Sequence, residues 1–158
     1  MRPPKYSLEP LATLRDALAS RALTRLAHAV RCRASAEEEL RAVDARLANH
    51  DATTARWIAA ETASLMRGEL RAVDLARADA WHARVAAERA AIEVQRDRAR
   101  VAREAAFNDE CETRKAAISS RNEKQLVEDD RTRWHERLRS SSEAVEDEAM
   151  TEAWRYPR

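Results

Sequence analysis

The side chains in this sequence best equipped for chemistry are four histidines, two cysteines and two serine clusters. His28, His50, His82 and His135 are scattered, and none has a second histidine at i+4 or a Cys-x-x-Cys pair to complete a metal set. Cys32 and Cys111 lie too far apart in sequence for a metal motif, and a cytosolic-looking chain would not join them as a disulfide. Ser119-Ser120 and Ser140-Ser141-Ser142 have no neighbouring base or oxyanion framework, and read as helix-surface or junction residues. The single glycine, Gly68, rules out a glycine-rich phosphate loop. Catalysis also needs a concave, water-excluding site. The expectation is a chain that is not an enzyme and uses neither metal nor cofactor.

The elements that would carry these residues are helices. Of 158 residues, 34 are Ala, 36% are charged and only 4% are aromatic. Too few bulky side chains are present to fill a compact core. Alternating β-branched runs are absent, which excludes a sheet protein. Pro3, Pro4, Pro10 and Pro157 all lie near the ends, so residues 11–156 are free of proline. Proline inside a helix costs roughly 3 kcal/mol and Gly about 1 relative to Ala. A stretch of that length rich in Ala, Arg, Glu and Leu therefore reads as long helix. Disorder is the competing reading of high charge with few aromatics. The formal net charge is only +1, and the charges are mixed along the chain instead of blocked.

The opening Met-Arg-Pro-Pro-Lys-Tyr-Ser lacks the apolar run of a signal peptide, and no stretch of 18 apolar residues occurs. A cytoplasmic, elongated protein without a transmembrane segment is expected. Residues 1–35 are basic and residues 140–158 acidic, so the two ends would attract each other if the chain doubles back. Acids accompany nearly every Arg cluster, and stacking aromatics are few, which argues against nucleic-acid binding. Residues 8–33, with Leu11, Leu14, Leu18, Leu23 and Leu26 beside several Arg, could lie on anionic lipid. Packing on a partner helix explains the same leucines without a bilayer.

Leu40, Val43, Leu47, His50, Thr54, Trp57, Glu61 and Ser64 follow the 3-4 spacing of a coiled-coil seam. Leu11, Leu14, Leu18 and Leu26 form an earlier stripe that joins it through a slipped register. Gly68 suits the residue after a helix end, so a turn is expected at about 67–69. A second stripe then uses Val73, Ala80 or Trp81, Ala87, Ala91, Val94, Val101 and Ala105. The fold class expected is all-α, a long antiparallel two-helix coiled-coil hairpin forming one elongated domain, with helix 1 at about 8–66 and helix 2 at about 70–154.

In such a hairpin Trp57 and Trp81 face each other near the turn, and Cys32 and Cys111 lie within roughly 10 Å of axial register. The competing architecture is one uninterrupted helix through Gly68, dimerised in parallel, which separates the cysteines by ~118 Å within a chain. The second arm of the hairpin overhangs beyond about residue 126. Ser140-x-x-Glu143 has the spacing of a capping box, at which that overhang could break and restart.

The opening Tyr6-x-Leu8-x-Pro10-Leu11-x-x-Leu14-Arg15 resembles the start of the FliJ/YscO proteins of type III secretion, flagellar and non-flagellar. Lys124-Gln125-Leu126-x-Glu128, Arg131-x-Arg133-Trp134-x-Glu136-Arg137 and Glu146-Asp147-Glu148-Ala149 are similar to the family's basic-acidic second helix with its terminal Asp-Glu-Ala. The resemblance implies a central stalk that inserts into the hexameric secretion ATPase, promotes its assembly and activity, and couples it to the export gate protein. Some members also bind secretion chaperones. Carried onto this chain, the ATPase-binding residues would be Leu8, Leu11, Leu14, Arg15, Trp134, Arg137, Asp147 and Glu148. By position along the hairpin, Trp57, Leu65, Leu70 and Trp81 would face the gate. The location implied is the cytoplasmic face of the inner-membrane apparatus. A generic cytosolic coiled-coil adaptor or scaffold is the alternative.

Overall fold

A computed structural model describes residues 4–69 and 71–155. They form an all-α helical hairpin of two helices, α1 (Glu9–Met66) and α2 (Ala72–Arg155). Helix α1 opens with the Ala12 N–H donating to the Leu8 carbonyl at 2.9 Å. Pro10 sits in the first turn, where a missing N–H leaves no helical bond unmade.

The α1 terminus is set by Gly68, whose φ is +71°. Its N–H donates to the Leu65 carbonyl at 3.0 Å, and the Glu69 N–H donates to the Ser64 carbonyl at 3.1 Å. These two bonds are the Schellman pair that satisfies the last carbonyls of a helix, and the left-handed residue between them is normally Gly. Across the turn, the Asp74 carboxylate accepts from the Arg71 N–H at 3.1 Å, and the Asp74 N–H donates to the Arg71 carbonyl at 2.9 Å. That exchange caps the start of α2 although Arg71 itself has no capping side chain.

Two compact units are formed, one from His28 to Cys111 and one from the residues up to Ala27 with those from Glu112 onward. In the first, the α1 residues shielded from solvent include Ala29, Arg33, Ala36, Leu40, Val43, Leu47 and His50, with Ala29 only 1% exposed. They face Trp81, Val85, Ile92, Ala99, Ala106 and Glu110 of α2. Polar pairs flank this seam: Glu61 with His82, and the ion pairs Asp51 with Arg89, Asp44 with Arg96 and Arg33 with Glu110, at 2.9, 2.9, 2.6 and 3.2 Å. In the second unit Ala12, Arg15, Ala19, Ala22 and Leu26 meet Thr113, Ala117, Ser120, Lys124, Val127 and Trp134. Lys124 holds Asp16 at 2.6 Å and Arg131 holds Glu9 at 3.0 Å.

Two expectations are corrected by these positions. The α1 seam does not slip: shielded residues keep the 3-4 spacing through Ala12, Arg15, Ala19, Ala22, Leu26, Ala29 and Arg33 into the Leu40 stripe. Leu14 and Leu18 fall outside it. The α2 seam also passes by much of its expected stripe: Val73, Val94 and Val101 are exposed, as are Ala80, Ala87, Ala91 and Ala105, while Trp81, Val85, Ile92, Ala99 and Ala106 take the shielded positions. Small side chains let two helices approach closely, and Ala costs no rotamer entropy in a helix. At Ser140-Ser142, where the spacing allows a break, α2 runs on as one helix to Arg155, as expected for a second helix over about 70–154. The Ser141 hydroxyl donates back to the Leu138 carbonyl at 2.9 Å inside a continuous helix.

A Cβ added at Gly68 would meet nothing within 4 Å, so only backbone strain opposes substitution there. Gly68→Ala should cost about 1 kcal/mol and lower Tm by about 2–4 °C in a circular-dichroism melt, with Gly68→Asn losing less. An unchanged Tm in both would mean that the turn does not hold its left-handed residue.

Candidate functional site

The unit that contains the chain's opening residues is closed at its open end by aromatic packing. The Tyr6 ring is 7% exposed and lies 5.6 Å from the Trp134 ring, centroid to centroid. Trp134 in turn stands edge-on to His135 at 4.8 Å. The Tyr6 hydroxyl donates to Asp130 at 2.6 Å. That bond to an anion, with burial adding to it, pushes the phenol from 10.0 up to about 12. Beside the pair lies a shallow groove of about 740 Å³ lined by Lys5, Glu9, Pro10, Arg131 and His135.

Around this end the residues expected to contact an ATPase divide into engaged and free groups. Leu11 and Trp134 are half-buried. Arg15 donates to Glu123 across the seam, so its charge is already matched. Leu8 and Leu14 are 42% and 54% exposed and make no seam. Arg137 is exposed, with its Nε donating to the Arg133 carbonyl at 3.3 Å. Asp147 and Glu148 sit on a stretch of α2, residues 139–152, that is exposed throughout. Among the described residues, the attraction expected between the basic beginning and the acidic end is therefore not made within this unit. Glu9 is paired with Arg131, and Asp147 lies 16 residues beyond that level, ~24 Å along the helix.

In the His28–Cys111 unit, the Trp57 and Trp81 rings lie 6.0 Å apart at an interplanar angle of 47°. Trp57 remains 62% exposed, while Trp81 is half-buried and packs edge-on against His82 at 5.0 Å. His82 Nε2 donates to Glu61 at 2.9 Å, which holds the imidazole against the indole. Open grooves of about 570 and 410 Å³ flank Trp57, and Trp81 and Arg84 line both. Leu65 is 52% exposed beside the turn, and Leu70 lies outside the described residues.

One cluster has no counterpart in the motif reading. Glu110 is 4% exposed and is met by Arg33 at 3.2 Å, and Arg33 also holds Glu37 at 2.9 Å. The guanidinium groups of Arg33 and Arg103 stand 5.5 and 5.7 Å from the Phe107 ring centroid. Arg33 donating to Glu37, with Arg103 and Arg41 nearby, holds the Glu37 carboxyl below its ordinary 4.5. The signal in the sequence is that Glu110 occupies a heptad position of α2, where an acid must find a cation on α1. Cys32 and Cys111 flank this pair as free thiols, the first exposed and the second half-buried.

Among the described residues, no group of three His, Cys, Asp or Glu side chains converges to hold a metal. No described helix is long and apolar enough to cross a membrane. Comparison with protein-family models, curated proteins and solved structures finds no match. What the fold defines is a class, the all-α helical hairpin, with open grooves along its helices.

Because the Tyr6 phenol is raised, its contribution to stability is complete below pH 10 and is lost as pH rises toward 12. In a Tyr156→Phe variant, tyrosinate absorbance should therefore appear near pH 12. Ionisation near 10, the ordinary value, would show that the Tyr6–Asp130 bond is not made.

Proposed function

We propose that this protein is a central stalk component of a type III secretion export apparatus. It inserts into the hexameric secretion ATPase, promotes ring assembly and ATP turnover, and couples the ring to the export gate, without itself being an enzyme. The reading is supported by the resemblance of residues 6–15 and 124–149 to the FliJ/YscO proteins together with the helical hairpin. The observation that carries it is the open end of the hairpin, where α2 continues past the Tyr6–Trp134 packing as an exposed acidic helix.

In this reading Leu8, Leu14, Arg137, Asp147 and Glu148 contact the ring, while Leu11, Arg15 and Trp134 keep the end in shape. Arg15 is matched by Glu123, so it acts through the hairpin more than on the partner. Exposed charges of this kind contribute at most about 1 kcal/mol per pair and are screened by salt. Many weak contacts suit a shaft that must move against a ring, where a large apolar patch would hold fast. Trp57, Leu65 and Trp81 form the gate-facing surface, with an exposed indole available as an anchor. The apparatus side of the inner membrane is where such a stalk works, and secretion chaperones are further partners.

The test is ATP turnover by the cognate secretion ATPase, measured with and without this protein over a range of ATPase concentrations and salt. Stimulation should be greatest where the ATPase is mostly unassembled, and weaker as ionic strength rises. Asp147→Lys with Glu148→Lys should reduce it while leaving helicity unchanged. A folded protein that neither binds nor stimulates would contradict the stalk reading and leave a coiled-coil scaffold for other partners.

A further inference from the structure

Two exposed faces in the unit that contains the chain's opening residues lack a partner among the described residues, and their patterns match. On α1, Leu14, Leu18, Arg21 and Arg25 follow the i, i+4, i+7, i+11 spacing that places four residues on one helix face. All four are exposed, the leucines by 54% and 36%, and among the described residues Arg21 and Arg25 make no ion pair. On α2, Glu143, Asp147, Met150 and Trp154 have the same spacing. Met150 and Trp154 are 69% and 89% exposed, and both carboxylates face solvent.

Laid antiparallel, these faces pair Leu14 with Trp154, Leu18 with Met150, Arg21 with Asp147 and Arg25 with Glu143. Laid parallel, the leucines would meet carboxylates and the arginines would meet Met150 and Trp154. Only the antiparallel arrangement joins like with like and charge with opposite charge. Beside the α1 face runs a shallow groove of about 390 Å³ lined by Leu18, Arg21, Arg25, Ala116 and Ser120, which gives a third helix a seat. The carboxylate on that wall, Glu112, is held by Lys115 at 2.7 Å.

The two faces cannot meet within one chain. Asp147 lies ~24 Å beyond the Glu9–Arg131 pair in one direction, and Arg21 lies ~18 Å beyond it in the other. We propose that the C-terminal stretch of α2 docks antiparallel on the Leu14–Arg25 face of a second copy of this chain. The antiparallel contact sets neighbouring copies parallel with a stagger of about 40 Å. A copy displaced in that direction cannot return its own α1 face to the same neighbour's tail. The contact is therefore heterologous and does not close, so copies add head to tail instead of stopping at a dimer. This inference does not rest on the stalk reading, since no ATPase takes part.

Sedimentation equilibrium of the full chain at low and physiological salt tests it. The weight-average mass should climb above 18.0 kDa with concentration, pass the dimer value, and fall as salt rises. Arg21→Glu with Arg25→Glu, and separately Glu143→Arg with Asp147→Arg, should each weaken association by at least about tenfold. Mixing the two variants, or combining all four changes in one chain, should restore it. Circular dichroism checks that each variant keeps its helices; the four-change chain carries the test if one variant loses helix. A mass of 18.0 kDa at every concentration, a plateau at the dimer, or association indifferent to these charges would each overturn the proposal.

Discussion

Close approach of two helices along a seam of small residues is the constraint from which the other surfaces follow. Ala19, Ala29, Ala99 and Ala117 are among the most buried side chains, and among the described residues no large side chain is fully buried. Burying one methylene is worth about 0.8 kcal/mol, against about 1.5–3 for a whole Leu. Such a seam is held by proximity over its length and by the charged pairs beside it. It also has little power to fix its own register, because one alanine fits where another does. Arg33 and Glu110 supply that power. A carboxylate 4% exposed needs its guanidinium, and a shift by one heptad would leave a buried charge unmatched.

The same constraint displaces the leucines. Where alanine takes seam positions such as Ala19, Ala22 and Ala117, Leu14 and Leu23 stand more than half exposed on α1, and Ile118 and Leu126 do so on α2. These are the residues that a search for a core would bury. Outside the seam they become contact surface, flanked by arginines on α1 and followed by an acidic helix on α2. A ring, a gate protein or a second copy would compete for surfaces of this kind, and salt would weaken each contact in proportion to its charges.

Much of the fold was legible because its signals were local. Proline confined to the ends, one glycine at position 68 and the Leu40–Ser64 stripe sufficed for two helices, their turn and the meeting of Trp57 with Trp81. The register of the α1 start and of α2 was not legible. A hydrophobic pattern ranks positions by side-chain size, and where the seam takes Ala12, Ala19 and Ala99 instead, Leu14, Val94 and Val101 looked internal and are not. Of the candidate site, Tyr6, Trp134 and the acidic tail were visible as sequence. Which of them are engaged depends on cross-helix partners such as Glu123 for Arg15, and only the pairing of α1 with α2 decides that.

The distance between Cys32 and Cys111 tests the antiparallel register most directly. Spin labels on both thiols, in protein diluted with unlabelled chains, report that distance within single molecules. Since the thiols flank the Arg33–Glu110 pair, a short and narrow distance distribution is expected. A distance near ~118 Å, the span of a continuous helix between those residues, would contradict the hairpin and everything built on it.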